Sequence, residues 1–158
     1  MTAPIVKPHL LATHLALIRG SVNSQAYRHL YAFVDGAEQD IVKDGAHACA
    51  FFVTHILLWS QLLKEPHATV RGTIRDLLAS GWEATPDPLP GDVLVWEPKD
   101  EAGEIHEHIG FFMGSDRAIS NSTSQASPQE HHLTYGTQPD GSPVRAIITC
   151  YTHPRLRE

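Results

Sequence analysis

Asp92-Val93-Leu94-Val95-Trp96 and, after a polar interval, His108-Ile109-Gly110-Phe111-Phe112-Met113-Gly114 are the two stretches on which the fold turns. Both are short runs of branched and aromatic residues bounded by turn formers, the pattern of buried strands. Pro86, Pro88, Pro90 and then Gly91 lead into the first run and forbid a helix there, because proline lacks the N–H and restrains its predecessor. Glu97 to Glu104 reads as a polar loop. Ser115-Asp116 turns the second run into a third strand over Arg117 to Ser120, Asn121 to Gln129 reads as a loop, and Val144 to Tyr151 as a last strand.

Upstream of Gly81 the period is helical. Leu11, Leu15 and Ile18 recur at three- and four-residue steps. Tyr27, Leu30, Tyr31 and Val34 suggest a second helix, broken at Asp35-Gly36. A third is expected from Ala48 to Leu63, with Phe52, Ile56, Trp59 and Leu63 on one face, and a short fourth from Val70 to Leu78. Helices first and strands afterwards indicate an α+β fold, with N-terminal helices packed on a small antiparallel sheet. The expected organisation is a single domain, 1–158, with a helical part 9–80 and a sheet part 90–152.

Composition narrows the function. The 158 residues are 42% hydrophobic and 19% charged, with a formal net charge of −6. That acidic balance, without a lysine- and arginine-rich patch, argues against a nucleic-acid partner. Two cysteines are too few for a disulfide scaffold, and no apolar run is long enough for a membrane span. The apolar run Leu10 to Ile18 carries His14, follows only Lys7 and lacks a small-residue cleavage site. A cytoplasmic location as synthesised is expected on that basis, with export by another route left open. Eleven histidines are many for this length and have to be weighed as ligands or catalysts.

Cys49 falls at the expected start of the third helix, where free amides and the helix dipole favour an anion and so a thiolate. A small buried hydrophobe is the structural alternative. A thiolate nucleophile needs an imidazole base, and His108, opening a strand after a polar loop, is placed to supply it. Cys150, beside Ile147, Ile148 and Tyr151, reads as core. Trp59 and Leu63 also read as core, and Asp92 as the brace of a turn.

Three segments in order, Cys49-Ala50-Phe51-Phe52-Val53, Pro90-Gly91-Asp92-Val93-Leu94-Val95-Trp96 and His108-Ile109-Gly110-Phe111-Phe112-Met113-Gly114, resemble the NlpC-type family of papain-like cysteine peptidases. The resemblance spans roughly Ala46 to Ser122. It implies Cys49 as nucleophile, His108 as general base and a third polar residue on the strand after the hairpin. Equal-length counting puts Ser120 at that place. Asn121, whose side-chain oxygen can fix an imidazole tautomer, is nonetheless taken as the third residue, on the assumption of a one-residue bulge. His131 and His132 are reserves. The family usually has polar neighbours beside the cysteine, whereas here the run is Ala48-Cys49-Ala50. The implied activity is a cysteine peptidase or amidase that cleaves an amide through an acyl-enzyme, with a peptide or peptidoglycan fragment as substrate and no cofactor. Two other readings stand beside it. One is a non-catalytic binding module on the same fold. The other is a histidine-rich zinc protein using His106, His108, His131 and His132, although no zinc signature accompanies them.

Overall fold

Strands outweigh helices. In the computed structural model, which describes residues 1–158, strand accounts for 32% of the chain and helix for 22%. Helix α1 (Leu10–Gly20) is followed by a hairpin of β1 (Tyr31–Val34) and β2 (Ala37–Asp40). Helices α2 (Cys49–Leu58) and α3 (Val70–Ala79) come next, then the strands β3 (Glu83–Ala84), β4 (Val93–Glu101), β5 (Glu104–Gly114), β6 (Arg117–Ser122), β7 (Ser127–His132) and β8 (Ile147–Thr152). A 3₁₀ turn, Pro154–Arg157, closes the chain. The six later strands form one antiparallel sheet in the order β3-β8-β4-β5-β6-β7. No helix is long and apolar enough to cross a membrane.

The expected arrangement of helices on a small sheet is therefore corrected to a β-rich fold: three helices and eight antiparallel strands in two sheets. Three local misreadings account for the difference. The stripe Tyr27, Leu30, Tyr31, Val34 is not a helix, because Asp35 (φ +50°) and Gly36 (φ +82°) form a two-residue turn with both angles positive. That is the hairpin geometry an Asp-Gly pair favours, and it makes strands of its flanks. The polar interval Glu97 to Glu104 is likewise a hairpin rather than a loop. It turns at Ala102 (φ +54°) and Gly103 (φ +85°), and the ladder slips at Pro98, which has no N–H to donate. Finally, β7 is too polar to announce itself. It lies at the edge of the sheet, where Pro128 is tolerated.

The strands β4 and β5 read as continuous apolar runs because both faces of the sheet are covered. On one face Val93, Val95, Ile109, Phe111 and Ile119 join the main core with Phe52, Val53, Ile56 and Leu57 of α2. On the other, Leu94, Trp96, Phe112 and Ala118 form a second cluster, against which Leu133, Ile147 and Cys150 pack. Trp59 lies beyond the end of α2 and is 42% exposed, so it is not a core residue, whereas Leu63 is buried. The buried Trp82 donates its indole N–H to the Leu62 carbonyl at 2.8 Å. Asp92 does brace a turn: its carboxylate accepts from the Leu89 amide and Thr152, and it pairs with Arg157 of the closing turn. His14 ties α1 to the same turn by donating from Nε2 to the Gly91 carbonyl at 2.9 Å.

The segment that leads into α2 is held just as tightly. The Asp40 carboxylate accepts from the amides of Leu30, Val42 and Asp44 and from the His29 ring. Burial pushes this carboxyl up, but the His29 ring and the three amides outweigh it and hold it at about 2. A pKa depressed on folding contributes stability above the ordinary carboxylate value of about 4, and that contribution drains away as pH falls from there through the folded value. Urea unfolding between pH 5 and 2 is expected to show a steeper acid loss in the wild type than in Asp40→Asn. Parallel loss in the two proteins would mean that this carboxylate does not anchor the segment.

Candidate active site

Cys49 is the first residue of α2, and a strained turn delivers it there. Lys43 (φ +50°), Asp44 (φ +54°) and Gly45 (φ +84°) are three consecutive left-handed residues. Two of them carry side chains, so surrounding contacts must enforce the conformation. Arg28 grips Asp44 through two bonds of 2.8 and 2.7 Å. Asn121 donates from Nδ2 to the Gly45 carbonyl at 2.8 Å, and a Cβ added at Gly45 would lie 2.8 Å from the Ala126 carbonyl oxygen. No side chain caps α2, so the amides of its first turn remain free at the sulfur.

The sulfur lies against an edge of β5. The ladder between β5 and β6 starts only at Gly110–Ser120, which leaves the preceding part of β5 without a partner on that side. There Cys49 Sγ faces the Glu107 carbonyl at 3.9 Å and receives the Ile109 amide. His108 lies between those two residues, and its side chain alternates away from the face that Ile109 shares with α2. Its ring packs on Trp96, with centroids 5.1 Å apart. No hydrogen bond joins the thiol to the ring. Cys49 and His108 instead border one cleft of about 1040 Å³, together with Ser120, His131, Tyr135 and Arg145.

The proton positions around His108 follow from a chain of partners. His131 Nδ1 lies 2.7 Å from the His132 carbonyl, which can only accept, so Nδ1 carries the hydrogen. Burial lowers the His131 pKa and keeps the ring neutral, so its Nε2 is a lone pair. The Ser120 hydroxyl must then donate to that nitrogen at 2.7 Å. Having spent its hydrogen, Ser120 can only accept from His108 Nε2 at 2.8 Å, and from Tyr135 at 3.1 Å. His108 therefore bears its proton on Nε2, where the Tyr135 oxygen also lies 2.8 Å away. Nδ1 is left as the basic nitrogen, which is the arrangement a general base requires.

Ser120, the residue found by equal-length counting, is thus the partner of the His108 ring. Asn121 is not. The β5–β6 ladder does slip once between His108 and Ser120, at Phe112–Gly114, but the resulting register pairs Gly110 with Ser120 and so puts Ser120, not Asn121, on the face His108 shares with Gly110. Alternation along β6 turns Asn121 to the α2 face, where it holds the turn before Cys49. Its Oδ1 is buried without a partner. His131 acts through Ser120. His132 shapes the loop instead: its Nδ1 accepts the amides of Thr134 and Gly136 at 3.1 and 3.0 Å and so presents Tyr135. The four histidines weighed as a zinc set do not converge, because the Ser120 hydroxyl stands between His108 and His131.

Two participants escaped the sequence reading. Tyr135 stacks on His131 with ring centroids 4.1 Å apart. Arg145 is only 8% exposed and donates to the carbonyls of Glu97 and His106 at 2.9 and 2.7 Å, with no carboxylate partner. The Tyr135-Gly136 turn and a lone arginine ahead of the last strand were the only signals available, and neither points to a site by itself.

The resting charges also depart from expectation. Burial pushes the Cys49 thiol up, outweighing the Ile109 and Ala50 amides and the Arg145 charge that favour the thiolate. Burial, with help from Arg145 and His131, pushes His108 down to about 3. The empty site therefore holds a thiol and a neutral imidazole, and desolvation defeats the helix-end effect. No family model matches the chain, and no curated protein matches it.

Two measurements check this geometry. The ¹⁵N spectrum of the histidine rings is expected to show His108 protonated at Nε2 in the wild type and a mixture of tautomers in Ser120→Ala. A single Nδ1–H form in the wild type would reverse the proton chain. Alkylation of Cys49 by iodoacetamide should keep accelerating beyond about pH 8.5, the ordinary thiol range. A plateau reached near neutrality would instead reveal a preformed thiolate–imidazolium pair.

Proposed function

We propose that this protein is a cysteine hydrolase that cleaves an amide bond through a Cys49 acyl-enzyme, with His108 as acid and base. The observation that carries the reading is the fixed tautomer of His108, whose basic nitrogen is left free in the cleft that Cys49 lines. A histidine serving only to fill space would not need a serine, a second histidine and a tyrosine to set its proton. The three motifs that resemble NlpC-type peptidases support the same assignment.

The steps balance with these groups alone. As Sγ attacks the carbonyl carbon, the thiol proton passes to His108 Nδ1. Collapse of the tetrahedral adduct breaks the C–N bond, and His108 returns the proton to the leaving amine. Water then gives a proton to His108, attacks the thioester and releases the acid, restoring the thiol. The uncapped amides at the start of α2 lie beside the sulfur and would face the oxygen that gathers charge as the adduct forms.

Arg145 supports an anionic substrate. A buried guanidinium without a counter-charge is costly unless its partner arrives with the ligand. Stem peptides of bacterial cell walls carry free carboxylates beside their amide bonds and satisfy that demand. Incubating the protein with purified muropeptides and reading the products by mass spectrometry is expected to show hydrolysis, abolished in Cys49→Ala and in His108→Ala. Arg145→Gln should lower kcat/KM by roughly 10- to 100-fold, the worth of a hydrogen bond to a charged group. That loss should fall on carboxylate substrates and spare their amidated forms. Product formed equally by Cys49→Ala would remove the hydrolase assignment.

A further inference from the structure

At the mouth of the cleft three potential ligands come together that belong to neither the proton chain nor the thiol. His47 ends the strained turn before α2, and Glu104 and His106 lie at the tip and shank of the β4–β5 hairpin. One donor atom from each lies within 4.8 Å of the others, and His106 Nε2 is 3.8 Å from Glu104 Oε2. The two imidazoles meet edge to face, with centroids 4.9 Å apart. We propose that His47, Glu104 and His106 bind a divalent transition-metal ion, zinc above all, at the lip of the cleft.

The donor set favours that class. Two imidazoles and one carboxylate suit zinc, whereas calcium and magnesium prefer oxygen alone. Zinc bonds of about 2.0–2.2 Å set donors roughly 3.3 Å apart, so donor atoms now within 4.8 Å of one another need close by at most about 1.5 Å. Glu104 is exposed at a hairpin tip and the two histidines are half-buried, so closure costs little and the histidines are already held. The Arg145 bond to the His106 carbonyl fixes the backbone of one ligand, and the bond from the His47 amide to the Val42 carbonyl, 3.0 Å long, fixes the other. Three protein ligands leave a coordination position open. Both histidines also line the cleft, so that position belongs to its entrance.

The site stands independently of the hydrolase reading because Cys49 is not one of its ligands. The experiment titrates the chelator-stripped, full-length protein with Co²⁺ and then Zn²⁺, following cobalt absorption and calorimetric stoichiometry. One equivalent is expected, with zinc displacing cobalt. Binding should weaken at least ~10-fold in Glu104→Gln, an exposed substitution that leaves the fold intact, and more in His106→Ala. Cys49→Ala and His132→Ala should bind as the wild type does. Absence of saturable binding in the wild type would overturn the proposal. So would unchanged affinity in both Glu104→Gln and His106→Ala, or a thiolate-to-cobalt band that disappears in Cys49→Ala.

Discussion

The direction of the protons along His131, Ser120 and His108 is set by one bond that touches neither the thiol nor the His108 ring. His131 donates from Nδ1 to the carbonyl of its own neighbour, His132, at 2.7 Å. A peptide carbonyl has no proton to offer, so the hydrogens of His131, Ser120 and His108 can be arranged in only one order. Reversing any of them would leave two donors or two lone pairs facing each other in a buried site, where a missed hydrogen bond is most expensive. The tautomer of His108 is thus dictated from the edge strand β7, two strands away from its own.

A mismatch in strand length brings the sulfur to the edge of the strand that carries His108. Because β5 outruns its pairing with β6, its exposed edge can accept the start of α2, and the thiol takes the place of a missing strand partner at Glu107 and Ile109. Bringing the helix there requires three successive left-handed residues. Asp40, Arg28 and Asn121 supply the bonds that keep such a turn from relaxing. Asn121 and Ser120 therefore serve the same cleft from opposite faces of one strand: one holds the turn before Cys49 and the other the proton of His108.

What could be read from sequence was local. Cys49 after a turn, the Pro90-Gly91-Asp92 entry and the His108 strand each declare themselves within a few residues, and the structure brings Cys49 and His108, though not the Pro90-Gly91-Asp92 entry, to one cleft. The choice between Ser120 and Asn121 depended on strand register, and one step of register exchanges the faces. The fold class failed where local patterns were ambiguous. A four-residue stripe from Tyr27 fits a helix until the Asp35-Gly36 turn is given its hairpin meaning. Ser127 to His132 has too little apolar content to betray a strand. His131, Tyr135 and Arg145 come from parts of the chain distant from Cys49, and no spacing rule links them to it.

Arg145 connects the electrostatics of the empty site to the proposed reaction. Its charge opposes protonation of His108 and favours ionisation of Cys49, so it helps one half of the proton transfer and hinders the other. Burial hinders both halves, which explains why the resting pair is neutral. A carboxylate that docks on the guanidinium would cancel the field opposing the imidazolium while the substrate carbonyl itself consumes the thiolate. Proton transfer would then become favourable only with substrate in place, and an idle Cys49 would stay a thiol, protected from the oxidation and alkylation to which thiolates are prone. On this reading, the missing counter-ion of Arg145 and the raised thiol pKa are parts of one device that couples nucleophile activation to occupancy of the cleft.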